Sequence, residues 1–244
     1  MVSIVKKCKK AVADLGRILL VHKHQNSVII TKAPGKMDAE NYIYHKEAIT
    51  MDFYKRALEL KDETVADRRY IHQNAETGLE LPKTKAYVMD KLKEYGLDPV
   101  ECGEGVTATL GNGGRVLLLR ADMDGLPMPE ESGEAFACPT GKTAHTCGHD
   151  FHAAMLLSAS RILKEQESKL KGTVKFMFQP AEETFQGSKN MIEHGILENP
   201  KVDAALAYHV SPGKMPVGLF MYNDKGTMMY SVDGFKITVK GKGS

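Results

Sequence analysis

Residues 115–125 read "RVLLLRADMDG", and this stretch decides the fold. Val116, Leu117, Leu118 and Leu119 are apolar without a polar alternation, so an extended strand here is buried on both faces. The run then changes character within a few residues, into Asp122, Asp124 and a Gly-Leu-Pro turn. A doubly buried strand ending in acids suits an open α/β sheet, where sites gather beyond the carboxyl ends of the strands.

Working outward, two further stretches repeat the pattern. "GTVKFMFQPAEE" (172–183) is an apolar strand with an acidic end, and "VDAALAYHV" (202–210) reads as another buried strand closing on His209. Helical periodicity lies between and before them. "KTKAYVMDKLKEYGL" (83–97) stops at Gly96, "HAAMLLSASRILKEQ" spans 152–166, and "SKNMIEHGIL" (188–197) closes near Gly195. Residues 49–74 are helical, with Phe53, Ala57, Leu60, Val65 and Ile71 on roughly one face. "VTATLG" ends in "GNGG" (111–114), a hairpin-type turn into the strand at 116. "DGFKITVKGKG" (233–243) reads as a last strand. Strands alternating with helices predict an α/β fold, a three-layer sandwich around a mostly parallel mixed sheet.

Composition narrows the function classes. The 244 residues suffice for one sizeable core, or for one domain and part of a second. A net charge of +2 points to no nucleic-acid partner, and no apolar run is long enough to span a membrane. "RILLV" near the start is too short for a signal sequence, so none is expected. Cys8, Cys102, Cys138 and Cys147 lack the spacing of a disulfide framework, which fits a reducing cytoplasm. Residues 1–49 differ from the rest, with nine Lys/Arg against four acids. Met51 opens the helical segment as an alternative initiator; the other reading is an extra N-terminal helix and strand.

"TAHTCGHDFHA" (143–153) concentrates His145, Cys147, His149, Asp150 and His152 just before a helix. A loop with Gly148 between Cys147 and His149 can turn both side chains inward, and thiolate and imidazole suit zinc and similar divalent ions. Glu182 and Glu183 end a strand, where neighbouring side chains point to opposite sides. One carboxylate then binds an ion while the other faces a water as general base. Asp122 and Asp124, two apart on an extended segment, face one way and can orient imidazoles; a turn is the plain alternative. Asp150 and His152 either support ligands or start the helix.

"RADMDGLPMPEESG", "HTCGHDFHAAMLL", "GTVKFMFQPAEETFQGSKNMIEHGIL" and "AYHVSPGKMPVG", in that order, resemble the metal-dependent amidohydrolases. That family includes hippurate hydrolase, N-acyl-amino-acid deacylases and plant indole-acetyl-amino-acid hydrolases, relatives of the aminoacylase and carboxypeptidase group. The resemblance runs from about Met51 to the last residue and is poorly specific for substrate. It implies hydrolysis of the amide of an N-acyl amino acid at two divalent ions, manganese, zinc, cobalt or nickel. Cys147 then resembles the bridging ligand, His149, Glu183 and His209 the other ligands, and Glu182 the general base. Asp122 and Asp124 resemble groups that hold those ligands.

The resemblance also implies a domain division: an atypical extension at 1–49, the N-terminal part of the catalytic domain at 50–230, and the start of a lid and dimerisation domain at 231–244. Relatives continue into that lid and dimerise through it. They supply from beyond this point an oxyanion-holding histidine and a last metal-ligating histidine. Removing one oxyanion donor alone costs about 100- to 1000-fold in rate. The 244-residue chain alone is therefore expected to bind metal with little turnover. A structural metal-binding module is the further alternative; such a site is closed by four ligands and needs no spare carboxylate. Two departures stand out. Phe151 occupies a position where relatives have Gly, which would narrow the cleft or shift the helix start. His72 is followed by Asn74-Ala75-Glu76 where relatives carry His-Pro-Glu.

Overall fold

In a computed structural model of the chain, which describes residues 19–24, 27–32, 52–213 and 235–242, Val116–Asp122 is a central strand of a five-stranded sheet. In chain order the elements are β1 (Leu19–His24), β2 (Ser27–Lys32), α1 (Phe53–Glu59), α2 (Lys61–Gln73) and α3 (Pro82–Glu94). Then come β3 (Val100–Cys102), β4 (Gly105–Gly111), β5 (Val116–Asp122), α4 (His149–Lys164), β6 (Thr173–Gln179), α5 (Gly187–Glu193) and β7 (Ala204–Ala207). Strands β1 and β2 form a separate antiparallel pair within the 1–49 stretch.

The sheet order is β3-β4-β6-β5-β7. Strands β6, β5 and β7 are parallel, with Asp122 opposite Gln179 in register. The β3–β4 and β4–β6 pairs are antiparallel. The expected mostly parallel sheet thus describes the β6-β5-β7 half, and the whole is an evenly mixed sheet. The expected β4–β5 hairpin does not form. Strand β6, buried at every position, lies between the two and takes both as partners. The Gly-rich linker passes over its start, where Thr173 donates from its backbone to Arg115 and from its hydroxyl to Gly113. A strand buried at every position gains more from two neighbours than an edge position offers, and four linker residues suffice to step over it.

Alternation along β6 divides the interior in two. Val174, Phe176 and Phe178 join Ile71, Leu81, Val88, Leu92, Val106, Leu110 and Leu157 in the main core beneath α2, α3 and α4. Met177 points the other way, to Cys102, Leu118, Met191 and Ile196 beneath α5. Helices therefore flank both sheet faces. The predicted helix at 49–74, whose residues 49–51 lie outside the described ones, breaks at Leu60, and the expected face is only partly buried: Leu60 and Ile71 are buried, whereas Phe53 and Val65 face outward. Among the described residues strand β7 is an edge rather than a buried strand, and Leu206 is 54% exposed. No strand forms at 235–242; Phe235, Ile237 and Val239 are exposed, and without a pairing partner among the described residues the segment has no ladder to hold it. Residues 233, 234 and 243 of that predicted strand lie outside the described residues. No described helix is long and apolar enough to cross a membrane.

Candidate metal centre

Three parallel strands end on the same edge of the sheet, and α4 starts there. Strand β5 delivers Asp122, the turn after β6 delivers Glu182 and Glu183, and the segment after β7 delivers His209. Gly148 caps α4 at φ +84°, a left-handed conformation that suits glycine. A Cβ on it would also sit 2.5 Å from Val210 Cγ2. Only glycine lets the His209-Val210 segment come this close while Cys147 and His149 flank the turn.

His149 is fully buried. Its Nδ1 lies 2.8 Å from the Asp124 carbonyl, which can only accept, so Nδ1 carries the proton and the neutral ring offers a lone pair at Nε2. That Nε2 has no hydrogen-bond partner among the described residues. It faces Asp122 Oδ2 at 3.7 Å, Glu182 Oε2 at 3.8 Å and Glu183 Oε1 at 3.8 Å. Glu183 Oε1 is likewise buried and unpartnered. Cys147 Sγ lies 3.4 Å from His209 Nε2. Donor atoms of Cys147, His149 and His209 fall within 4.8 Å of one another, as do those of His149, Glu182 and Glu183.

Asp124 organises this edge. Its two carboxylate oxygens accept the backbone N–H groups of Glu182 (3.0 Å) and Glu183 (3.2 Å), while its own carbonyl fixes His149. The expectation that Glu182 and Glu183 point to opposite sides is corrected here. They occupy a turn between Ala181 and Phe185, both at positive φ, and both carboxylates reach His149. Asp122 accepts from His152 Nδ1 and lies 2.7 Å from Arg120 Nη1. Both aspartates therefore face His149, as the two-residue spacing predicts.

The electrostatics favour a cation. Burial works against a charged His149, but Asp124, Asp122 and Glu183 outweigh it and raise its pKa. Burial, together with Glu183, Glu182 and Asp122, pushes the Cys147 thiol up to about 12. Burial also pushes Asp122 upward, yet the His152 hydrogen bond and Arg120 hold it at about 2. Glu182 is raised by burial and by Asp122, against Arg120 and His149. A thiol, imidazole nitrogens and carboxylates around an unpartnered buried Nε2 are the donor set of a divalent transition ion.

Other predicted residues lie beside the cluster. His145 is buried with neither ring nitrogen hydrogen-bonded among the described residues, and burial lowers its pKa to about 4. Asp150 turns away from the ligands, accepting from Arg68 Nε and pairing with His72 Nδ1, both at 2.8 Å. His72 continues to Glu130 through Nε2 at 2.9 Å. Phe151 does not displace the helix start, which is His149; its ring lies outward under the Arg68 guanidinium, 4.1 Å away. Glu76 caps α3 through the Thr84 N–H. Sequence reasoning missed Arg120, whose signal was available: two residues before Asp122 on one strand, it shares that face. The Arg68–Asp150–His72–Glu130 chain had no such signal, because its members are far apart in sequence.

The profile of peptidase family M20/M25/M40 matches residues 118–240, a range holding every candidate ligand. The chain belongs to this peptidase family. It is 38% identical over 189 residues to an N-acetyl-L-cysteine deacetylase of Bacillus subtilis, covering 76% of this chain and 44% of that protein. It is 37% identical over 199 residues to a hippurate hydrolase of Campylobacter jejuni, covering 79% and 50%. A Bacillus subtilis crystal structure described as a dinuclear metal binding peptidase of the M20 family superposes with a TM-score of 0.60. Its sequence identity is 32%, over 64% of this chain and 44% of that one. The chain spans about half the length of the curated relatives it matches.

Proposed function

We propose that this chain carries the metal-binding and proton-transferring half of a hydrolase that cleaves the amide bond of N-acyl amino acids. The observation that carries the reading is the convergence of Cys147, His149, Glu182, Glu183 and His209 on one edge of the sheet, in a member of this peptidase family. Its relatives include N-acetyl-L-cysteine deacetylase, hippurate hydrolase and N-acyl-L-amino acid amidohydrolase. Cys147, His149, Glu183 and His209 would hold two divalent ions. Manganese, zinc, cobalt and nickel all suit the set. When bound, such ions polarise the scissile carbonyl and acidify water.

The protein's own part is proton transfer and positioning. Glu182, with its raised pKa, accepts the proton of the attacking water and returns one to the leaving amine. Asp124 holds the Glu182 and Glu183 backbone in place and fixes the His149 tautomer. Asp122 and Arg120 place charge behind the site. Residues 50–230 are read as the N-terminal part of the catalytic domain, 231–244 as the start of a lid through which relatives pair, and 1–49 as an extension. Free Cys102, Cys138 and Cys147 are in keeping with a cytoplasmic setting. A second reading keeps the same metal-binding residues and has the chain bind metal without turnover.

The test is metal content and hydrolysis of hippurate and N-acetyl amino acids by the purified chain with manganese, zinc or cobalt. Tight metal uptake that is lost in Cys147→Ala supports the site under either reading. Turnover that disappears in Glu182→Gln while metal is retained supports the hydrolase; uptake without turnover supports the second reading. Unchanged metal content in Cys147→Ala, or full activity in Glu182→Gln, contradicts the assignments.

A further inference from the structure

His152 is among the most deeply buried polar residues, 1% exposed, and it lies one helical turn from His149. By residue type and distance it belongs with Asp122 and His149 as a candidate ligand. Its hydrogen bonds say otherwise. The backbone N–H of Val210 donates to His152 Nε2 at 2.9 Å. An amide N–H can only donate, so Nε2 must be the lone-pair nitrogen and Nδ1 must carry the proton. Nδ1 lies 2.5 Å from Asp122 Oδ1, which accepts that proton's hydrogen bond. Asp122 is in turn backed by Arg120. Both nitrogens of His152 are therefore committed, and neither is available to an ion.

The Val210 amide is the peptide that follows His209, and the two imidazoles meet edge to face with centroids 4.6 Å apart. His209 leaves the sheet at an exposed edge. Among the described residues its own Nδ1 bonds only the next carbonyl, which fixes nothing outside that segment. Strand β7 likewise pairs on one described side, with β5, and stops at Ala207. Among the described residues, the Val210 amide to His152 Nε2 is the backbone hydrogen bond that ties the His209 peptide to α4, beside the side-chain contact of His209 with Cys147.

We propose that His152 is a positioning residue: a neutral Nδ1–H imidazole that latches the Val210 amide to Asp122 and so sets where the His209 ring stands relative to Cys147. The latch acts through His209, so its effect on metal binding rests on the reading of His209 as a ligand. The hydrogen-bond arrangement itself does not.

Two measurements on the full 244-residue chain test it. The first is independent of metal: long-range nitrogen–proton NMR of histidine-labelled protein, with amide exchange. The latch requires an Nδ1–H tautomer at His152 and a slowly exchanging Val210 amide that becomes labile in His152→Ala and recovers in part in His152→Gln, whose oxygen can accept. An Nε2–H tautomer at His152, or a Val210 amide that exchanges freely in the parent chain, overturns the proposal. The second is a double-mutant cycle for cobalt(II) affinity with His152→Ala and His209→Ala. Loss of a group that orients a ligand weakens metal binding by about 10- to 100-fold. The latch predicts that loss for His152→Ala in the parent chain and almost no further loss once His209 is already alanine. Additive losses overturn action through His209. No cobalt uptake by the parent chain removes the metal reading and the action through His209, leaving the NMR result to decide the latch.

Discussion

Each residue of the centre has a separable task. Asp124→Ala removes the acceptors for two backbone N–H groups while leaving the carbonyl that holds His149. The turn carrying Glu182 and Glu183 then loosens, and cobalt affinity by calorimetry should fall about 10- to 100-fold. Cys147 gives a second prediction. Its thiol is pushed up to about 12 by burial and by Glu183, Glu182 and Asp122, so it is protonated at neutral pH without an ion. Ligation requires the thiolate, so metal uptake releases a proton and tightens as pH rises. Calorimetry in buffers of different ionisation enthalpy reads the proton count; uptake without release contradicts thiolate ligation. Cys147, His149, Glu182, Glu183 and His209 were legible in the sequence as candidates, each at a strand end or in a loop where chemistry gathers, and the division into ligands and base among them is what the family resemblance implies. The directions of Glu182 and Glu183 were not, since a turn held by Asp124 replaced the extended end their spacing suggested.

At the scale of elements, the entry to α4 carries the site. Gly148→Ala places a Cβ in left-handed backbone and against Val210 Cγ2. We expect a loss of about 1–3 kcal/mol in urea denaturation. Val210→Ala should relieve the crowding part of that loss in the double variant and leave the backbone part. The body of α4 is held by its buried face: Leu157 is wholly buried in the main core, and Leu157→Ala should cost about 2–5 kcal/mol by the same measurement. Helix α4, strand β5 and strand β6 were all predicted, because each has a largely apolar pattern and a clear stop. The β4–β5 hairpin failed for a physical reason. A turn sequence fixes local direction, but partner choice belongs to the most buried strand, and β6 took both neighbours. Of the strand predicted at 233–243, the described residues 235–242 take no strand: apolar alternation makes a strand only where a partner edge is present, and none pairs with them among the described residues.

For the whole molecule, the parallel half of the sheet is what makes a centre possible, since it brings three strand ends to one edge. The antiparallel β3 and β4 extend the core without contributing a ligand. Beside the centre, Arg68, Asp150, His72 and Glu130 form an ionic chain that ties α2 to the start of α4. The Asp150 hydrogen bond, opposed by burial and aided by Glu130, raises the His72 pKa above its ordinary 6.5. A raised folded-state pKa means that the protonated form is favoured by folding. The resulting stability is complete below pH 6.5 and is lost as pH rises through the raised value. Urea midpoints measured against pH should decline over that range in the parent chain. The decline should flatten in His72→Gln, and an unchanged slope there would remove His72 as its origin.

X-ray absorption of the zinc-loaded chain tests the central claim most directly. We predict a sulfur scatterer at about 2.3 Å and imidazole scattering at about 2.0–2.1 Å around the ion, with the sulfur lost in Cys147→Ala. An ion surrounded by oxygen and nitrogen alone in the parent chain, or a sulfur that persists in Cys147→Ala, contradicts it.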